Sequence, residues 1–365
     1  MRHIVLLSTG GTIATRNGAA GRRVEVGARE LLGSQSGAPW LDGVRIDARD
    51  AASFVSFAAG IPEALSLAES VREATAEADA VVVTHGTDTL EESAFLLALT
   101  HGGPEPVVFT GAQRPFDDPA PDGPRNLATA LRWAATAESD GTGVTVAFAD
   151  GIWPAVGVRK THALAVDAFG APGRGPVGRV DEGGVRRYGS APREVLLPPD
   201  TADLPRVDVI GQYLGVDGSA VRHAVREGAR GLVVAGFGSG NTTPATTEAC
   251  VHLLGEGVPV LVSSRTGEGA VTGLYAGGSA ELAAADAVFA GDLSPWQARL
   301  LLAAALAAED STKRGADGME RVTRRCRDWL RATGAVPRED PARSPLPDPA
   351  FTPTRPGGTP GQATQ

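Results

Sequence analysis

The chain has 365 residues, 42% of them apolar, which is enough to bury a large core, and its length favours two domains over one. Its net charge of -9 leaves no basic stripe for nucleic-acid phosphates. The apolar run after Met1-Arg2-His3 is too short and wrongly flanked for a secretory segment or a membrane span, so a cytoplasmic chain with no membrane partner is expected.

Ile4 to Ala14 reads IVLLSTGGTIA, a buried-strand run broken at once by glycine and hydroxyl residues. An amphipathic helix is expected over Ile61 to Ala76. Ala80 to Ser93, AVVVTHGTDTLEES, repeats the strand-to-loop corner and leads into a helix at Leu90 to Leu99. Further apolar strands fall at 106 to 110 and 144 to 148, and this alternation predicts a parallel sheet covered on both faces. From Gly170 to Pro199 the composition turns to Gly, Pro and Arg, as a hairpin or extended linker would, with a boundary near 200.

A second alternation follows: VDVIGQYL, a helix through Ala220 to Ala229, GLVVAGFGSGN, a helix near 244 to 255, VPVLVSS, and a long helix from about Ser294 to Ala308. The expected organisation is an α/β fold. It has an N-terminal catalytic domain over 1–190, a linker over 191–206, a smaller α/β domain over 207–334 and a disordered tail over 335–365, where large apolar residues are almost absent.

In an open parallel sheet, ligands gather at the carboxyl ends of the strands, so the two corners offer Thr12, Thr87 and Asp88 to one cleft. Amide hydrolysis needs a nucleophile, a proton acceptor and oxyanion donors. Thr12 follows Gly10-Gly11, whose bare backbone admits a close ligand; the competing reading is a turn threonine that caps its own loop. Asp88 or Thr89 fits a helix cap with Glu91 or Glu92 completing a capping box, and Asp88 fits equally a carboxylate that holds an amino acid's α-ammonium.

All but Lys160 and Lys313 of the 34 basic residues are arginine. Lysine, unlike arginine, can release its proton, so Lys160 is either a proton relay or a surviving surface lysine. His162 beside it is a further titratable candidate. TGAQRPFDDPAPDGPRNL, from Thr110 to Leu127, repeats the strand-glycine corner and offers Ala112 backbone groups to the cleft, or is a plain connection. GFGSGN, Gly236 to Asn241, lacks dinucleotide-binding spacing, and no GxSxG elbow is present. Cys250 and Cys326 form no CxxC or Cys/His cluster, so neither a metal nor a disulfide framework is implied.

STGGTIA, VVVTHGTDTLEESAFLL, TGAQRP with DGPRNL, RKTHALAVDAF with GPVG, GFGSGN and SPWQARLLLAAALA together resemble the bacterial L-asparaginases of the asparaginase/glutaminase family, from about His3 to Ala308. The resemblance implies hydrolysis of asparagine to aspartate and ammonia without a cofactor. Thr12 is the implied acyl-forming nucleophile, and Thr87, Asp88 and Lys160 the second catalytic group. Substrate binding then falls to Gly11, Ser56, Gly86, Asp88 and Ala112. The family also implies homo-oligomers, dimers or tetramers, in which Asn241, Tyr275 and Glu281 are the candidates for a contribution from the neighbouring subunit.

Two departures stand out. Phe57 occupies a position where glutamine is common, and none of the three tyrosines falls in the loop at 15 to 30, which carries Arg22 and Arg23 instead. Glutamine or another small amide is the alternative substrate, and an amino-acid-binding homologue with weakened chemistry the alternative from another class.

Overall fold

The computed structural model describes residues 1–198, 200–309 and 316–336. Eight strands form the larger sheet, in the spatial order Gly184–Arg187, Gly178–Asp181, Gly151–Pro154, Val144–Phe148, Val107–Thr110, Ala80–Thr84, Arg2–Gly10 and Val44–Phe54. The last five run parallel; the first three join by antiparallel pairing. The expected parallel sheet is therefore parallel from Val144–Phe148 to the Val44–Phe54 edge, and antiparallel at its other end. The Gly- and Arg-rich stretch after Gly170 supplies a hairpin, Gly178–Asp181 with Gly184–Arg187, that extends the sheet instead of leaving it.

Alternating residues explain the layering. Val5, Leu7, Val81, Val83, Val107 and Phe109 pack on one face beneath the helices Ile61–Thr75 and Leu90–Thr100. Their neighbours Ile4, Leu6, Ala80, Val82 and Val108 pack on the other face with the helix Gly123–Ala134 and its fully buried Trp133. Both faces being covered, each central strand reads as an unbroken apolar run.

A smaller, wholly parallel sheet follows, in the order Val207–Gly211, Gly231–Gly236, Val260–Ser264 and Val288–Phe289. The apolar helix Pro295–Ala308, capped by Ser294, which accepts from the Gln297 N–H, packs against this sheet and against Leu90–Thr100. One hydrophobic core thus spans both α/β units. The segment between them is held in place: the Leu196 and Leu197 N–H groups both donate to the Leu99 carbonyl, and the Trp329 indole donates to the Glu194 carbonyl.

Of the tail expected to be disordered, Ala335 and Val336 instead close onto the core, Ala335 accepting from the Asp292 N–H; the remainder lies outside the described residues. Both cysteines are free and buried, and burial pushes each thiol up to about 12, which leaves them inert. Among the described residues no helix is long and apolar enough to cross a membrane, and no group of three or more His, Cys, Asp or Glu side chains is placed to hold a metal ion.

Candidate active site

The two glycine-rich corners end adjacent parallel strands, with Ser8 of Arg2–Gly10 in register with Thr84 of Ala80–Thr84. They touch through backbone alone: a Cβ on Gly11, whose φ is +77°, would lie 2.3 Å from Gly86 Cα and N. Only glycine fits that conformation and that approach. Gly11 is followed by the short 3-10 turn Thr12–Ala14. There the Thr15 hydroxyl, not that of Thr12, donates to the Thr12 carbonyl (2.9 Å). The half-buried Thr12 hydroxyl makes no hydrogen bond among the described residues, so it is not spent as a cap on its own loop.

Across the contact, Thr87 is buried and Asp88 exposed. The Lys160 ammonium reaches both, donating to Thr87 Oγ1 at 2.9 Å and to Asp88 Oδ1 at 2.8 Å. The capping expectation does not hold. The N-cap of the helix Leu90–Thr100 is Thr89, but its hydroxyl donates to the Ser56 carbonyl (3.0 Å), and no side chain caps the helix. Ser56 is buried beside this corner; its hydroxyl accepts from the Asp88 N–H (3.3 Å), and a Cβ on Gly86 would meet it at 2.5 Å. Phe57, next in the chain, is largely exposed at the edge of the same turn.

Beneath Gly86 lies His85, fully buried between the rings of Phe54 and Phe109. Its Nδ1 lies 2.8 Å from the Gly86 carbonyl, which can only accept, so Nδ1 carries the proton and Nε2 accepts from the Ser93 hydroxyl (3.1 Å). Burial drops its pKa to about 4, so the imidazole stays neutral and fixes the Gly86 peptide.

The third corner is braced by DGPRNL. Asp122 accepts from the Gln113 and Arg114 N–H groups, and Asn126 donates to the Gly111 carbonyl while accepting from the Ala149 N–H. Ala112 is fully buried and packs its methyl in the core, so only its backbone is left to serve a ligand. SPWQ acts from the second unit: Gln297 accepts from the Gly157 N–H and donates to the Ala155 and Val158 carbonyls, fixing the segment that leads to Lys160. His162 is exposed, and its Nδ1 accepts from the Leu164 and Ala165 N–H groups; it shapes its own turn and does not join the cluster.

Asn241, Tyr275 and Glu281 gather separately on the smaller unit. Ser279 bridges the Asn241 side chain and the Tyr275 N–H, and the Glu281 carboxylate accepts from the Gly277 and Gly278 N–H groups, none of the three bonding to Thr12, Thr87, Asp88 or Lys160 of the same chain. The loop at 15 to 30 forms the hairpin Thr15–Gly18 with Gly21–Val24, leaving Arg22 and Arg23 exposed. It is tied down by Asn17, which donates backbone and side-chain N–H groups to Asp117, and by the Arg16 guanidinium over the Phe116 ring.

Residue-type reasoning did not single out Glu91 as more than a cap. It is buried, and its Oε2 accepts from the Lys160 backbone N–H at 2.5 Å. Burial, above all, pushes its carboxyl up to about 7, with the Glu92 charge adding to the rise and the Lys160 N–H, Arg159 and Lys160 opposing it. Between pH 4.5 and 7 the unfolded chain therefore releases this proton while the folded chain keeps it, and stability falls as pH rises through that window. His85 acts in the opposite sense, costing stability as pH falls from 6.5 towards 4, so the parent protein's curve shows neither effect alone. The difference between Glu91→Gln and the parent isolates the carboxyl: thermal unfolding should show the variant gaining relative stability from pH 5 to 8, by up to about 3 kcal/mol at 1.36 kcal/mol per pKa unit.

Two family models match the chain: "Asparaginase, N-terminal" over residues 3–193 and "Glutaminase/Asparaginase C-terminal domain" over residues 206–318. The chain is 34% identical to an L-asparaginase of Bacillus licheniformis, covering 84% of this chain and 96% of that protein. It is 36% identical to a probable L-asparaginase of Deinococcus radiodurans, covering 82% and 91%. Among solved structures, a probable cytoplasmic L-asparaginase from Campylobacter jejuni superposes with a TM-score of 0.77 at 32% identity, over 88% of this chain and 99% of that one. With matching models across both α/β units and relatives aligned over most of its length, the chain belongs to the asparaginase family.

Proposed function

We propose that the protein hydrolyses L-asparagine to L-aspartate and ammonia through an ester formed on Thr12. The observation that carries this reading is the Lys160 ammonium within hydrogen-bond reach of both Thr87 and Asp88, on a corner packed backbone to backbone against the one that presents Thr12. The Thr12 oxygen bonds to the side-chain amide carbon, the C–N bond breaks, and the hydroxyl proton leaves with ammonia. Water then attacks the ester, the C–O bond to Thr12 breaks, and Thr12 regains a proton. Thr87 with Lys160 handles the protons, and the exposed Asp88 carboxylate attracts the substrate's α-ammonium. Ser56, Gly11, Gly86 and the Ala112 backbone shape a site for one small amino acid.

The working form is a homo-oligomer in which Asn241, Tyr275 and Glu281 face a neighbour's site. Tyr275 is largely exposed and the three residues are not hydrogen-bonded to their own chain's cluster, which supports that placement. The enzyme works in the cytoplasm, like the probable cytoplasmic relative from Campylobacter jejuni.

Ammonia release from a panel of amides tests the activity. Asparagine should be turned over in preference to glutamine, and no turnover of any amide, with calorimetric binding of aspartate intact, would leave a binding protein. Phe57 in place of the family's common glutamine is the residue to exchange first if glutamine or another amide proves preferred. Sedimentation of the purified protein tests the oligomer.

A further inference from the structure

Lys160 is gripped at both ends by one short segment of the chain. Its ammonium meets Thr87 and Asp88 at 2.9 and 2.8 Å, and its backbone N–H meets Glu91 at 2.5 Å; all three partners belong to residues 87–91, where strand passes into helix. A lysine ammonium sits at the end of a flexible four-carbon stem. Its place is defined only if the base of the stem is fixed relative to the groups it must reach. The strand Arg159–Lys160 is too short to do this alone, since among the described residues it pairs only with Phe169–Gly170.

From the other side, the Arg159 guanidinium donates to the carbonyls of Thr266, Gly267 and Asp292 in the smaller unit, so the dipeptide lies between the two units. Burying a carboxylate is costly, and a helix start that needed only a cap would be served by an exposed one. Glu91 instead spends its oxygen 69 residues along the chain, on the lysine.

We propose that Glu91 is a positioning residue: its carboxylate holds the Lys160 backbone so that the ammonium is delivered to Thr87 and Asp88. This rests on the hydrolase reading above, but the bond it invokes is measurable without turnover. The charged groups around the Glu91 carboxyl are Glu92 on its own helix and Arg159 and Lys160 on the facing strand. Burial above all pushes the Glu91 carboxyl up to about 7, so the grip passes from a charge-assisted bond to a neutral one as pH falls.

The test compares Glu91→Gln, which keeps an acceptor without the charge, with Glu91→Leu, which keeps bulk without an acceptor. Glu91→Leu should lose at least tenfold in kcat for asparagine with KM nearly unchanged, and Glu91→Gln should recover most of it at pH 8. The kcat of the parent should fall below pH 7 only as far as the level of Glu91→Gln, whose neutral acceptor the protonated carboxyl matches, and that limb should be absent from Glu91→Gln. Because Lys160 and Lys313 are the only lysines, lysine labelled with 15N gives two backbone amide signals. That of Lys160 should lie far downfield, move with pH near 7, and return upfield in Glu91→Leu.

Parent-like kcat in Glu91→Leu, equal damage in both variants, or a Lys160 amide that ignores pH and the substitution would each overturn the proposal. If the parent itself releases no ammonia from any amide, the hydrolase reading falls, and the Lys160 amide signal alone decides whether the grip exists.

Discussion

Replacing Thr12 with alanine should abolish ammonia release from asparagine, lowering kcat on the order of 10⁴-fold or more, as expected when a covalent route is removed and only binding and oxyanion stabilisation remain. The protein should still fold normally. The Thr12 hydroxyl makes no hydrogen bond among the described residues and the side chain is only half-buried, so its loss leaves no orphaned partner and no cavity. Thr12→Ser keeps the oxygen and should keep measurable turnover. Stopped-time ammonia assays with matched thermal unfolding would separate chemistry from stability: undiminished release by Thr12→Ala removes Thr12 from the mechanism, whereas lost release with a collapsed melting curve indicts the fold of the corner.

That outcome bears on how much of the site was legible in the residues. Strands at 4 to 7, 80 to 84, 107 to 110 and 144 to 148 were readable because a strand covered on both faces has only apolar residues to show. The strand Val44–Phe54, VRIDARDAASF, was not read: it lies at the sheet edge, pairs on one side only, and carries charge along its length. The Gly-Pro that starts the helix Gly123–Ala134 reads as a turn as readily as a helix start, although a proline at the first turn is a helix-start signal. In the helix Ala316–Ala332 the stripe of Val322, Cys326, Trp329 and Leu330 has helical spacing, but arginines dilute it and hide the signal.

Within the site the division follows the range of the interaction. Glycine-hydroxyl corners are local, so Thr12, Thr87 and Asp88 can be read from their own neighbourhoods, whereas only the resemblance to the family separates Lys160 the proton relay from Lys160 the surface lysine. The Glu91 spacing fits a capping box, and nothing nearby in sequence distinguishes a cap from a carboxylate that reaches a lysine 69 residues away. His85 is likewise silent: a histidine one threonine beyond the apolar run AVVV gives no sign that it will sit fully buried under a glycine-rich corner and remain neutral.

Lys160→Arg, the mildest exchange by charge, should be nearly as damaging as Lys160→Met, each lowering kcat by roughly 10²- to 10⁴-fold, the range supplied by a positioned proton-transfer group. An arginine keeps the positive charge opposite Asp88, and the chain otherwise uses arginine for almost every cation, so composition alone would call the exchange harmless. The geometry argues otherwise. The ammonium is a compact donor set between Thr87 Oγ1 and Asp88 Oδ1, both under 3 Å away, whereas a planar five-donor fork on a longer side chain presents its donors in a different geometry. A guanidinium also cannot surrender its proton at any working pH, so it cannot accept one from Thr87. If charge were the only requirement, Lys160→Arg would approach the parent's kcat while Lys160→Met would not, and that split would reassign Lys160 from proton transfer to electrostatic binding of the substrate.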